Sequence, residues 1–415
     1  MFEARATGYT PWRELFPETI VKDARPRQGP EWDLMIACLR SHAAPQAGLA
    51  AIPGGVDWER LLALSLEQCV LPAVHAALAP AADSIPAQAW QRIHNVFMSV
   101  TARNVARTAE LTRLVGRLQE RGIAVMALRG PVLAEELYGD TAMRQFEDLD
   151  LLVKRTDAIA AMRALEAEGF RPQEAFSGRQ EEALVRFRTE RNYYRGAERL
   201  WVDLHWELLP APFAVERDPG VLWVRAQTVT VQGAAIKTLS GEDSFLFLCV
   251  HGAKHGWDKA GRAADVAAWL RKNPRADWTS ILERAGKAGK RRAVQVAVGL
   301  ANRLLGAPVP EAARGDQAVE RLVDEAIARL EGRERGKGRQ RGDWAFALGV
   351  LERVRDKAVF VCGLLAPTGS EIRVLALPRP LSFVYYPVRW LRLVWKYTAG
   401  QLATKRRKNI VGPVE

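Results

Sequence analysis

Apolar residues follow three different rhythms along this chain. From Trp32 to Arg40, from Trp58 through Val74 and from about Pro86 to Arg121 they return every three or four positions, which predicts amphipathic helices. Asp57 is suited to cap the second of these and Gly122 to stop the third. The rhythm then shortens. Ile123 to Leu128 is an unbroken apolar run of strand length, and Arg129-Gly130-Pro131 turns it into a short helix reaching about Tyr138. Leu149 to Val153 forms a second strand-length run. A helix from Asp157 to Glu168 follows it, capped by Thr156 or Asp157 and stopped by Gly169. Glu190 to Arg195 and Leu200 to Trp206 flank Gly196-Ala197 and read as a hairpin. In its second strand Leu200, Val202, Leu204 and Trp206 share one face, and Trp201, Asp203, His205 and Glu207 share the other. Helical spacing resumes near Ser244, again from about Arg262 to Arg271, and once more beyond Pro274 as far as Leu305, where Gly306 to Pro310 breaks it.

This order predicts an α/β (α+β) chain with a mixed-sheet core and helical segments before and after it. The divisions expected are a loose arm at 1–31, a helical N-terminal domain at 32–107, the core at 108–240 and a helical domain at 241–330. A basic Gly-rich loop at 331–342 and a helical C-terminal region with an aromatic-basic tail at 343–415 complete the chain. With 415 residues, 48% of them hydrophobic, it can bury two or three modest cores. The formal net charge of +12 predicts attraction to polyanions, whether nucleotides, RNA or an anionic membrane surface. Cys38, Cys69, Cys249 and Cys362 lie far apart and lack CxxC spacing, which argues for packing roles in a reducing compartment and against structural zinc or disulfides. The first 30 or so residues mix charges and prolines without an apolar core, so they do not read as a signal peptide. The expected location is cytoplasmic.

The chemistry gathers around Asp148 and Asp150. In an extended strand both carboxylates point to one face, where they repel each other unless a cation lies between them. A Mg²⁺ ion held by these oxygens and by substrate phosphates is one reading; a solvated acidic strand end is the other. The Gly130 turn would set helix N-terminal amides beside the acids. Arg129 and Arg144 could add charge-assisted bonds to phosphate oxygens, although either could equally be a surface charge. Asp203 offers a third carboxylate if its strand neighbours that of the pair. His205, on the same face, could touch acceptor or phosphate, or support a ligand carboxylate by hydrogen bonding, which is the favoured role.

These residues carry a resemblance. Leu128-Arg129-Gly130, Tyr138, Arg144, the run DLDLLV at 148–153, VDLHW at 202–206 and HGAKHGW at 251–257 together resemble the bacterial uncharacterised nucleotidyltransferases of the DNA polymerase beta-like superfamily. The likeness spans roughly Trp58 to Tyr397. It implies a nucleotidyltransferase-like core that moves a nucleoside monophosphate from an NTP, with ATP favoured, to a hydroxyl acceptor with release of pyrophosphate. It also implies Mg²⁺, with Mn²⁺ as the alternative, held by Asp148, Asp150 and Asp203 as catalytic and metal residues. Arg129, Gly130 and Arg144 would bind the nucleotide. Asp203 could also take the acceptor proton. Two departures stand out: Arg129 replaces the family's usual Lys, and the Gly-Ser pair of better-studied superfamily members is missing.

Three features stay open in the sequence. His251 and His255 have metal-ligand spacing on one helix face, but no Glu stands where a zinc protease needs its base. Packing, contact of Lys254 and His255 with phosphates or acceptor, and an independent metal are the readings, in that order. The run EGRERGKGRQRG at 331–342 is a solvated loop or a grip for RNA, and a non-catalytic nucleotide- or RNA-binding protein is the alternative to an enzyme. The segment PLSFVYYPVRWLRLVWKY at 380–397 is too interrupted to span a bilayer. Its aromatic face is expected to dock on the helical domain; the alternative is an interfacial helix on anionic lipid, as in a membrane-surface enzyme of envelope or natural-product assembly.

Overall fold

The computed structural model describes residues 29–43, 52–196, 200–216, 218–333, 339–392 and 395. It opens with four helices, α1 (Pro30–Ala43), α2 (Trp58–Glu67), α3 (Leu71–Leu78) and the 34-residue α4 (Ala87–Glu120). The core follows as β1 (Val125–Ala127), α5 (Gly130–Tyr138), β2 (Asp148–Val153), α6 (Ala158–Ala167), β3 (Arg171–Pro172), α7 (Gly178–Phe187), β4 (Glu190–Arg195) and β5 (Leu200–His205). After α8 (Pro219–Arg225), β6 (Gln227–Val231) and β7 (Ala234–Thr238) form a separate hairpin. The remaining helices are α9 (Gly241–Lys254), α10 (Ala260–Lys272), α11 (Trp278–Ala288), α12 (Arg291–Leu305), α13 (Gln317–Leu330), α14 (Arg339–Val350), α15 (Val354–Leu364) and α16 (Gly369–Val374).

The main sheet is mixed, in the order β1-β2-β5-β4-β3. β2 runs parallel to β5, with Asp150 opposite Asp203 and Leu152 opposite His205. β4 pairs antiparallel with β5, which sets Asn192 opposite Asp203 and Glu190 opposite His205. Alternation sorts the side chains. Leu149, Leu151, Val153, Val202 and Leu204 are buried with Leu114, Leu118, Met162 and Leu165 from α4 and α6. Burying each such side chain contributes roughly 1.5–3 kcal/mol. A one-residue slip of β2 would put Asp150 into that core, so the apolar face fixes the register of the acids. Leu152, on the opposite face, joins a second core made with the helices.

That second core runs across the expected divisions. The helices of 32–107 and of 241–330 share a single apolar interior, to which Met35, Leu64, Leu71, Leu248, Val266 and Val298 all contribute. They form one body, because the faces they bury are turned toward each other. The boundary expected at 107/108 falls inside α4. The N-terminal half of this helix buries Ile93 and Val96 in the helical core, and its C-terminal half buries Leu111 and Leu114 under the sheet. The loop expected at 331–342 is also shortened, since α14 already begins at Arg339; residues 334–338 lie outside the described residues, as do 1–28 of the arm and 396–415 of the tail.

Candidate active site

A cavity of about 1320 Å³ lies between the polar face of the sheet and helices α9 and α10. The turn before α5 shapes one edge. Gly130 adopts φ +58°, a left-handed conformation that other residues take with strain, and a Cβ there would sit 3.5 Å from the Asp148 carbonyl oxygen. The loop leading into β2 is held from α4. The buried Asn104 amide donates to the carbonyls of Thr141 and Arg144 at 2.9 and 2.8 Å, and Arg107 Nη1 donates to the Phe146 carbonyl at 3.0 Å.

Asp150, Asp203 and His205 form the one group among the described residues able to hold a metal, each offering a ligand atom within 4.8 Å of the others. All three are buried. Arg129 Nη2 donates to Asp150 Oδ1 at 2.6 Å, and His205 Nε2 lies 3.1 Å from the same oxygen. Behind His205, Nδ1 is 3.1 Å from Glu190 Oε2. Asn192 Nδ2 donates to Asp203 Oδ1 at 2.7 Å. Burial alone would raise the Asp150 carboxyl, but Arg129 and His205 outweigh it and hold the group well below the usual carboxylate range. Burial would lower the His205 imidazole, yet Glu190 and Asp150 push it up to about 10. Glu190 is opposed by burial in the same way and is drawn down to about 2 by His205 and Lys254. The Asp150, His205 and Glu190 side chains therefore form a charged chain of alternating sign.

The helical wall answers with cations. Lys254 ends α9, Arg262 projects from the first turn of α10 and pairs with Asp258, and both line the cavity. Desolvation pulls Arg262 down to about 10, with Arg129 adding to it, and lowers Lys254 in the same direction. His251 and His255 are pushed well below the usual imidazole range by burial and by the surrounding Arg and Lys side chains. Their ring centroids are 4.5 Å apart with the planes tilted by 49°, and His251 Nε2 lies 3.2 Å from Arg129 Nη1. Much of the HGAKHGW motif is packing: a Cβ on Gly252 would meet the fully buried Trp257 ring at 2.5 Å.

The expected site residues thus divide. Asp150, Asp203 and His205 come together, with Arg129 joined to them and Gly130, Lys254 and His255 on the same cavity. Asp148 lines the cavity but falls outside the group of three; its charge acts on Arg107, Arg129 and Arg262. Arg144 also lines the cavity, but Asp265 takes its guanidinium through Nε at 3.1 and 3.2 Å and Nη2 at 3.0 Å, while the Tyr138 hydroxyl donates to the same carboxylate at 3.1 Å. Glu190, Asn192 and Arg262 were not expected. The hairpin register is the signal that finds the first two, because residues two apart in β4 share the polar face with Asp203 and His205. Arg262 has no comparable signal, as only the packing of α10 aims it at the acids.

The model of a family described as uncharacterised nucleotidyltransferase matches residues 54–306. The chain belongs to that family. The match takes in the helices that flank the sheet as well as the sheet, and membership supports a role in nucleotidyl transfer. Among solved structures, the chain is similar to an antigenic nucleotidyltransferase-like protein from Paracoccidioides brasiliensis, at 15% identity and a TM-score of 0.30, over 50% of this chain and 94% of that one. No curated protein matches the chain.

Proposed function

We propose that the chain transfers a nucleoside monophosphate from an NTP, with ATP favoured, to a hydroxyl acceptor, releasing pyrophosphate, with a divalent metal, Mg²⁺ or Mn²⁺, as cofactor. The observation that carries this reading is the placement of Asp150 and Asp203 side by side on parallel strands, facing Lys254 and Arg262 across one cavity. The donor set fits such an ion: two carboxylates supply hard oxygens, and His205, which hydrogen-bonds Asp150, orients one of them. A bound ion would neutralise phosphate charge and lower the pKa of the acceptor hydroxyl.

The chain's own residues do the rest. Arg129, Lys254 and Arg262 would hold phosphate oxygens by charge-assisted hydrogen bonds, and a buried cavity strengthens each of these contacts. Asp203 would take the acceptor proton. Asn192 and His205 keep the two carboxylates in place. Asp148 adds negative charge beside the cations at the mouth of β2. A cytoplasmic setting belongs to the same proposal.

Binding without turnover is the competing reading, favoured by the Arg129 cation already paired with Asp150. Calorimetry of each NTP with and without Mg²⁺, on the wild type and on an Asp150→Asn/Asp203→Asn variant, tests the metal-nucleotide site, and pyrophosphate release by the wild type separates turnover from binding. Saturable binding that needs Mg²⁺ and disappears in the variant is the expected result. Binding that is indifferent to both changes would leave a nucleotide-binding protein, and no binding at all would remove the nucleotide from the proposal.

A further inference from the structure

The aromatic-basic segment does not dock as its sequence suggests. It is fastened to the sheet body, where Tyr385 is buried with Leu184 and Leu204, and its hydroxyl donates to the Leu375 carbonyl at 2.8 Å. Arg186 donates to Ser382 Oγ at 3.0 Å, and Arg389 and Arg392 reach the buried Glu371 at 3.3 and 2.7 Å. These ties hold one side of the segment. The other side is bare among the described residues: Phe383 is 65% exposed, Trp390 56% and Trp395 72%, with Tyr386 and Leu391 also exposed. Every aromatic among the large exposed hydrophobics of the described residues belongs to this stretch.

Single exposed apolar residues are ordinary, but a row of aromatics fastened in place is not. We propose that this row is a docking surface for an anionic phospholipid bilayer. Trp and Tyr carry an apolar body and a polar edge, the combination that settles at the headgroup level, and Arg or Lys alongside supplies attraction to anionic lipid. The charge argues against a second copy as the occupant. Two chains of net charge +12 would be brought together on a face followed in sequence by Lys405-Arg406-Arg407-Lys408, whereas an anionic surface complements that charge. The proposed contact is one of lying on the surface, and no helix of the described residues is long and apolar enough to cross a membrane. This inference does not depend on nucleotidyl transfer.

The test is flotation of the full chain with vesicles of phosphatidylcholine alone and of phosphatidylcholine mixed with phosphatidylglycerol. Wild type should float with the mixed vesicles, less so as salt rises, and partition should fall about tenfold or more in Trp390→Ser/Trp395→Ser. A Trp390→Tyr/Trp395→Tyr variant should keep most of the binding, and matching thermal melts would show that all three chains fold alike. Three results would overturn the proposal: no flotation with either vesicle, equal flotation of wild type and the Ser variant, or a concentration-dependent dimer in light scattering that the Ser variant abolishes.

Discussion

Two arginine–aspartate pairs lie on the same cavity, and they are built differently. At the α10 end, Asp265 receives Arg144 through two nitrogens and Tyr138 through its hydroxyl, so both of its oxygens are engaged. At the β2 end, Arg129 reaches Asp150 through one nitrogen to one oxygen, divides its guanidinium with His251, and leaves its buried Nε without a hydrogen-bond partner. A saturated buried pair can only be broken at a cost. A pair with a donor to spare can exchange partners when phosphate or metal arrives. The first pair thus fastens the loop before β2 to α10, and the second keeps a donor to spare on the cavity.

The largest effect expected from this difference is on turnover. Asp203→Asn should lower pyrophosphate-producing turnover on the order of 10³-fold or more, the scale at which a lost metal ligand acts, while far-UV circular dichroism stays the same. Turnover within tenfold of wild type would place the chemistry elsewhere. Next comes stability. Asp265→Ala leaves the half-buried Arg144 and Tyr138 without their buried partner and should cost roughly 3–5 kcal/mol in urea unfolding. A variant as stable as wild type would erase the distinction between the two pairs. The smallest effect is expected from Arg129→Lys, which keeps a point charge beside Asp150 but loses the fork that spans Asp150 and His251. Its affinity for Mg²⁺-NTP should change by less than about tenfold, measured by calorimetry. A complete loss would mean that the fork itself, and not its charge, holds the phosphate.

Much of the sheet was legible in the chain because period-two alternation and strand-length apolar runs are local signals. The hairpin of β4 and β5 lies where those signals set it, and the turn at Gly130 and the helix at 158–167 lie where Gly, Pro and capping residues set them. Domain limits were less legible. One 34-residue helix can belong to two cores at once, and nothing in its spacing says where one core ends and the next begins. The C-terminal segment shows the same limit, since its aromatic pattern could not tell which side chains would face the sheet and which would be left bare.

The sequence by itself determined the polar face of β2 and β5, the acids on it and their net setting in a basic chain, because strand alternation and composition need no partner. Only the tertiary structure decided which of those acids meet. The parallel register of β2 on β5 joins Asp150 to Asp203, the hairpin places Glu190 behind His205, and the helical body lays Lys254 and Arg262 opposite. Pairing register and helix docking are set by apolar surface buried between segments far apart in the chain, and no local spacing records that.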